Sequence, residues 1–206
     1  MKIAVFGAGG LAKEILDIVV NLKFENIVFI DNKFYGFIWD YPIVNEKETY
    51  FLAKENYKFV IGIGDTKIRK KIKEKFSDIE YINLIHPFAV LGYKQREEVE
   101  RKKGNVIFAG VKISNSVKVG NFGIYYYNST VGHDCIIEDF VTICPGANIS
   151  GNVKVCEGAF IGANACVLQG DLANKKIIGR NSVVGAGAVV TKNVAENIMV
   201  KGIPAK

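Results

Sequence analysis

The sequence predicts a small Rossmann-like α/β domain over residues 1–85, followed by a parallel β-helix over residues 86–206. Two observations predict it. The first is a period of six. Ile113, Val119, Tyr125, Val131, Ile137, Ile143, Ile149, Val155, Ile161 and Val167 fall on one phase, and all but Tyr125 are Ile or Val. Four places after each aliphatic comes a small or β-branched residue: Val117, Gly123, Ser129, Cys135, Val141, Ala147, Val153, Ala159 and Ala165. Six residues are too few for a helical hairpin and enough for one short strand and a turn, and three such units close one triangular coil. Each coil buries its apolar row only against its neighbours, so the array must be long. The second observation lies at the N-terminus, where an apolar run meets a glycine-rich turn, a helical apolar pattern, a second apolar run and an acid.

The elements follow in order. Residues 2–6 read as a buried strand. Gly7, Gly9 and Ala12 fit the G-x-G-x-x-G/A pattern, residues 11–20 repeat apolars at helical spacing, and residues 27–30 form a second strand ending at Asp31. Asp31 lies where a ribose-contacting acid is expected, and the glycines let backbone and a helix N-terminus approach a phosphate. A tight βα turn without ligand would leave the same residues. Residues 59–64 read as a strand ending in a second glycine turn, with Asp65 placed to cap a helix over residues 66–76, and residues 80–85 as a further strand. This is about one of the two halves of a dinucleotide fold, which suits one nucleotide better than two. Aromatic residues 35–41 either cover a base or sugar or pack the small domain. His86 and Pro87 mark the boundary, with His86 structural. The mixed-charge residues 93–103 read as a solvated loop or short helix. Regular sixes run from near Ile107, slip across residues 169–176, and resume at Ile178 and Val184. Asn174, Lys175 and Lys176 give that slip a basic edge, set either to meet coenzyme phosphates or to stand as a solvated turn. Residues 193–206 close the open end of the coil, which otherwise exposes unpaired strand edges.

Composition narrows the function. The chain has 206 residues, 49% of them hydrophobic, which supplies a core for one domain or two small ones. A net charge of +6 suits anionic small molecules such as nucleotides and coenzyme A. No Lys/Arg cluster is interleaved with aromatics, so nucleic acid is not expected. No apolar run reaches the length of a transmembrane helix. The four cysteines, Cys135, Cys144, Cys156 and Cys166, show neither C-x-x-C pairing nor metal spacing and read as small buried thiols. With no leader pattern after Met1, a cytoplasmic protein without a metal is expected.

The chain has two histidines. His133 sits in a turn after Val131 and Gly132, so its ring should project outward at a corner, and Asp134 follows directly. A histidine there is either a surface residue or a general base. A carboxylate on its other ring nitrogen would fix the tautomer, provided the backbone bends one side chain back onto the other. Three sixes make one coil, so Gly151 should stack beside His133, about one strand spacing (~4.8 Å) away. That glycine serves either the turn or an oxyanion.

The repeat, the segment Thr-Val-Gly-His-Asp-Cys at residues 130–135, the tail at residues 200–206 and the N-terminal glycine turn together resemble the NeuD/PglD-type sugar acetyltransferases, within the left-handed β-helix acyltransferases. The resemblance covers nearly the whole chain. It implies a left-handed helix, a homotrimer with sites between neighbouring prisms, and direct acetyl transfer from acetyl-CoA to a nucleotide-linked amino sugar of the UDP-4-amino-sugar type, in glycan biosynthesis. It implies His133 as base, Asp134 as its partner and the Gly151 N–H as oxyanion donor. It points to Thr142, Gly151, Ala163 and Ala186 for the coenzyme, and to Gly9, Gly10, Asp31, Asn32, Gly64, Asp65 and Tyr126 for the acceptor. Thr142 and Tyr126 depart from residues that relatives carry, as does Leu11. The rivals are sialic acid O-acetylation and a non-catalytic nucleotide-binding scaffold. A γ-type carbonic anhydrase needs three histidines on zinc, which two cannot supply.

Overall fold

The computed structural model describes residues 1–171 and 173–206; Leu172, inside the stretch where the rhythm slips, lies outside the described residues. The chain forms two units, Met1–Pro87 and Phe88–Lys206.

In the first unit, elements run β1 (Lys2–Phe6), α1 (Gly10–Asn21), β2 (Asn26–Ile30), β3 (Gly36–Ile38), β4 (Tyr41–Val44), α2 (Thr49–Lys54), β5 (Lys58–Ile61) and α3 (Thr66–Lys75). They build a five-stranded sheet ordered β3-β4-β2-β1-β5, parallel except for the β3–β4 hairpin. β1 lies inside the sheet, paired on both sides, because it is apolar on both faces: Ile3, Ala4 and Val5 are fully buried. Helix α1 presents Leu11, Ala12, Ile15, Leu16, Ile18 and Val19 to the core. Strand order reverses at β1, with β2 on one side and β5 on the other, and ligands of open α/β sheets bind outside the strand carboxyl ends at such a point.

Two details differ from the sequence reading. The aromatic stretch makes an edge hairpin whose turn uses Trp39 at φ 52°, and Tyr35, Phe37 and Trp39 are exposed rather than packed. The strand expected over residues 80–85 is broken in two: Tyr81 makes a single bridge to Phe59, and Leu84–Ile85 form a separate two-residue strand.

The second unit is a left-handed parallel β-helix. Stacked two-residue strands pair in register three sixes apart, as Thr130 with Lys112 and Asn148, and Ile124 with Val106 and Thr142. The inward row from Ile107 to Val167, Tyr125 included, is no more than 3% exposed. Its closure rests on a left-handed residue three places after each inward side chain: Ser116, Phe122, Asn128, Asp134, Phe140, Gly146, Asn152, Gly158 and Asn164. Asn, Asp and Gly take this conformation readily; Phe122 and Phe140 are unusual there. Their rings stack 5.1 Å apart. The mixed-charge stretch holds α4 (Gln95–Glu100), anchored where the buried Gln95 amide donates to the Val117 carbonyl and accepts from its N–H. The slip is an insertion: Ile137 pairs with Val155, whereas Val155 pairs with Ile178.

Candidate active site

Two sites emerge, one in each unit. In the first, the loops after β1, β2 and β5 surround a crevice of about 430 Å³, within the usual range for a small-molecule site. Its glycines divide into two kinds. Gly7 has φ +100°, and a Cβ there would lie 2.8 Å from Ile63; a Cβ on Gly62 would lie 2.9 Å from Val5 and 3.1 Å from Ala12. These two are required by packing. Gly9, Gly10 and Gly64 line the same crevice, and a Cβ on any of them would meet nothing within 4 Å, so packing does not require them. Gly9 caps α1 without a side-chain hydrogen bond, which leaves the helix N-terminus open toward the crevice.

The carboxylates here are already engaged. Asp31 Oδ2 accepts from the Ala8 N–H at 3.1 Å, and Oδ1 accepts from the N–H groups of Lys33 at 2.8 Å and Phe34 at 3.3 Å. It therefore ties the glycine turn to the end of β2. Asn32 donates to Glu46 and accepts from the Glu46 N–H. Asp65 lies outside the crevice lining, and its Oδ1 caps α3 by accepting from Ile68 N–H at 2.9 Å. Arg69, buried at 1% exposure, donates to the Ile63 and Gly64 carbonyls and holds the second glycine turn. Sequence reading missed Arg69 because a lysine- and arginine-rich helix gives no sign of which cation turns inward.

In the second unit, His133 stands at a corner with its side chain 63% exposed. Asp134 takes φ 58°, and this bend returns its carboxylate to the preceding ring: Nδ1 lies 2.7 Å from Oδ2. Asp134 accepts from Nδ1–H, so the lone pair of the neutral ring is at Nε2. The ring lies against Gly151, where a Cβ would sit 2.5 Å from Nε2 and 2.7 Å from Cε1. The imidazole thus occupies the space a side chain would need. Gly151 accepts from Gly170 through its carbonyl, while its N–H donates to no group among the described residues. Cys135, next along, is buried; burial pushes its thiol above the usual range, and it donates to the Ser150 carbonyl. A protonated, inward thiol is a poor nucleophile.

The remaining expected residues do not join this corner. The turns of Tyr127, Pro145, Ala163 and Ala186 stack on a different one, linked by the hydrogen bonds Gly146 N–H to Tyr127, Asn164 N–H to Pro145 and Gly187 N–H to Ala163. Tyr126, beside that column, stacks on Phe108 with centroids 5.1 Å apart. Thr142 is 1% exposed, so within one chain it presents almost no surface to a ligand. Lys175 and Lys176, expected to face either phosphate or solvent, instead donate to the chain: Lys175 to the Asp134 carbonyl and the Asn152 side chain, Lys176 to the Thr191 carbonyl. Among the described residues no cluster of His, Cys, Asp or Glu could hold a metal ion, and no helix is long and apolar enough to cross a membrane.

Comparison with known proteins matches both units. Residues 2–76 match the family model of the PglD N-terminal domain. GDP-perosamine N-acetyltransferase of Escherichia coli O157:H7 is 33% identical over 212 residues, spanning 96% of this chain and 81% of that protein. The acetyltransferase domain of PglB from Neisseria gonorrhoeae FA1090, solved with acetyl coenzyme A, superposes with a TM-score of 0.88 at 29% identity, covering 100% of this chain and 98% of that one. PerB from Caulobacter crescentus, solved with CoA and GDP-perosamine, gives 0.87 at 26% identity, covering 100% and 96%. With the glycine crevice, the hexapeptide prism and the outward imidazole already in view, these matches mean that the chain belongs to the NeuD/PglD-type sugar acetyltransferases of the left-handed β-helix acyltransferase superfamily.

Proposed function

We propose that this acetyltransferase moves the acetyl group of acetyl-CoA directly to the amine of a nucleotide-linked amino sugar, with His133 as general base. The observation that carries this reading is the ring of His133, held by Asp134 on one side and lying against the unencumbered backbone of Gly151 on the other. His133 Nε2 takes a proton as the amine nitrogen attacks the thioester carbonyl, and Asp134 stabilises the imidazolium that forms. The new N–C bond forms, the C–S bond breaks, and coenzyme A leaves as its thiol after receiving the proton. The Gly151 N–H is the donor for the transient oxyanion. The crevice of the first unit takes the nucleotide: the α1 N-terminus and the open glycines Gly9, Gly10 and Gly64 suit a diphosphate. Asp31 and Asn32 shape that crevice through their backbone and side-chain bonds.

One prism carries the imidazole on one corner and the Ala163 and Ala186 turns on another. Two corners of one prism cannot face each other, so a complete site needs a neighbouring copy, and a homotrimer meets that need. The resemblance favours a UDP-linked 4-amino sugar. The name of the relative matched across 96% of the chain favours a GDP-linked one as the second reading.

The test is thiol release from acetyl-CoA against a panel of UDP- and GDP-linked amino sugars, with free sialic acid included, followed by mass spectrometry of the product. The expected result is an N-acetylated nucleotide sugar from the wild type and almost none from His133→Ala. Equal rates in both, or product from free sialic acid alone, would overturn the reading.

A further inference from the structure

The inserted residues before Ile178 do not hang free of the prism. Among the described residues, Asp171, Asn174 and Lys175 fold back over the corner that carries His133. Asn152 Nδ2 donates to the carbonyls of Asp171 at 2.5 Å and Asn174 at 3.4 Å, and the Lys176 N–H donates to the Asn152 carbonyl at 3.1 Å. Lys175 is half-buried, and its ammonium has two acceptors on two successive coils: the Asp134 carbonyl at 2.5 Å and Asn152 Oδ1 at 2.7 Å. Asp134 and Asn152 are the left-handed residues of the turns that bear His133 and Gly151. Between these turns the backbone supplies one direct bond at the corner, Asn152 N–H to the His133 carbonyl at 2.8 Å.

We infer that Lys175 is a positioning residue: its ammonium ties the His133 turn to the Gly151 turn and so holds the imidazole and the oxyanion donor in register. The two groups come from different coils, and a charged donor bridging both coils resists their sliding apart. This rests on the proposed roles of His133 and Gly151. It also explains why an insertion that breaks the hexapeptide rhythm sits one coil beyond these two turns.

Lys175→Met keeps the length of the side chain and removes its charge. The expected result is a kcat about 10- to 100-fold lower, with KM for acetyl-CoA and for the nucleotide sugar unchanged, since a small misplacement of reacting groups costs rate rather than binding. Lys175→Arg, which can still donate to both oxygens, should recover most of the loss. Hydrogen–deuterium exchange on the full chain should show faster exchange in peptides containing Asn152 for the Met variant only. A wild-type kcat in Lys175→Met, while His133→Ala is inactive, would overturn the inference and leave the proposed chemistry standing. A raised KM for acetyl-CoA at unchanged kcat would also overturn it, by making Lys175 a coenzyme contact. If His133→Ala stays active the proposed base falls, and unchanged exchange at Asn152 would then sink the clamp on its own.

Discussion

Glycine serves opposite ends in the two sites. Around Gly9, Gly10 and Gly64 in the first unit the space beside each Cα is empty, and nothing in the fold uses it. Beside Gly151 in the prism the same space is filled by the His133 ring. The first arrangement suits the proposed nucleotide, whose contacts with the glycine backbone a methyl group would block. The second is already filled, by the imidazole proposed as the general base. Gly7 and Gly62 form a third class, hemmed in by Ile63, Val5 and Ala12, where packing itself requires glycine. The surroundings of a glycine therefore report its role better than its presence in a motif does.

The largest effect that would sharpen this contrast is His133→Ala. Loss of a general base lowers kcat by about 10²- to 10⁴-fold, and because the side chain is 63% exposed the melting temperature should hardly move. A large drop in melting temperature would mean the ring is structural. Gly151→Ala comes next. Its methyl group must displace the imidazole, so kcat should fall about 100-fold while KM for the acceptor, measured from initial rates, stays put. An active Gly151→Ala enzyme would break the distinction between filled and empty space.

In the crevice the split should run between stability and binding. Gly7→Ala forces a methyl onto Ile63 at φ +100° and should cost about 2–4 kcal/mol by urea unfolding. Gly10→Ala opens α1 with a better helix former in free space, so stability should hold or rise by up to about 1 kcal/mol. Its acceptor affinity should nonetheless weaken about 10-fold by calorimetry, since tenfold is the loss of one modest contact. Equal behaviour of the two variants would erase the three classes.

The smallest effect concerns a corner without chemistry. Burial works against the charge of Glu138, but the Lys154 ammonium and the Glu157 N–H outweigh it and hold the carboxyl below its ordinary value of 4.5. A depressed value means the charged form stabilises the fold above the unfolded value, and that the gain is lost as pH falls through the folded one. Glu138→Gln should therefore cost about 0.5 kcal/mol at pH 7, where the half-exposed pair is screened, and nothing well below pH 4. Urea melts at the two pH values check this, with acetyl transfer unchanged at pH 7.

Much of this was legible in the residues. A period of six appears because each inward side chain must be apolar or the coil loses its core, so Ile113 to Val167 announce the prism one by one. The same arithmetic stacks Gly151 on His133, since a coil is three sixes. The Gly-rich turn, α1 and β2 follow from apolar spacing that burial imposes locally. The hairpin at Trp39 and the short fate of residues 80–85 were not legible, because edge strands are decided by which partner is left to pair with.

What the sequence determined by itself is thus the lattice: which side chains point inward, which turns stack, and where an imidazole meets a glycine. Only the tertiary structure decided how the polar groups are shared. Asp134 reaches His133 because its backbone turns left-handed; Asp31 holds the glycine turn through the Ala8 N–H and its own loop through the N–H groups of Lys33 and Phe34; Lys175 bridges two coils. The physical reason is range. Burial acts on every residue through its neighbours along the chain and writes a period, whereas a hydrogen bond is assigned among whatever donors and acceptors the finished fold brings within about 3 Å.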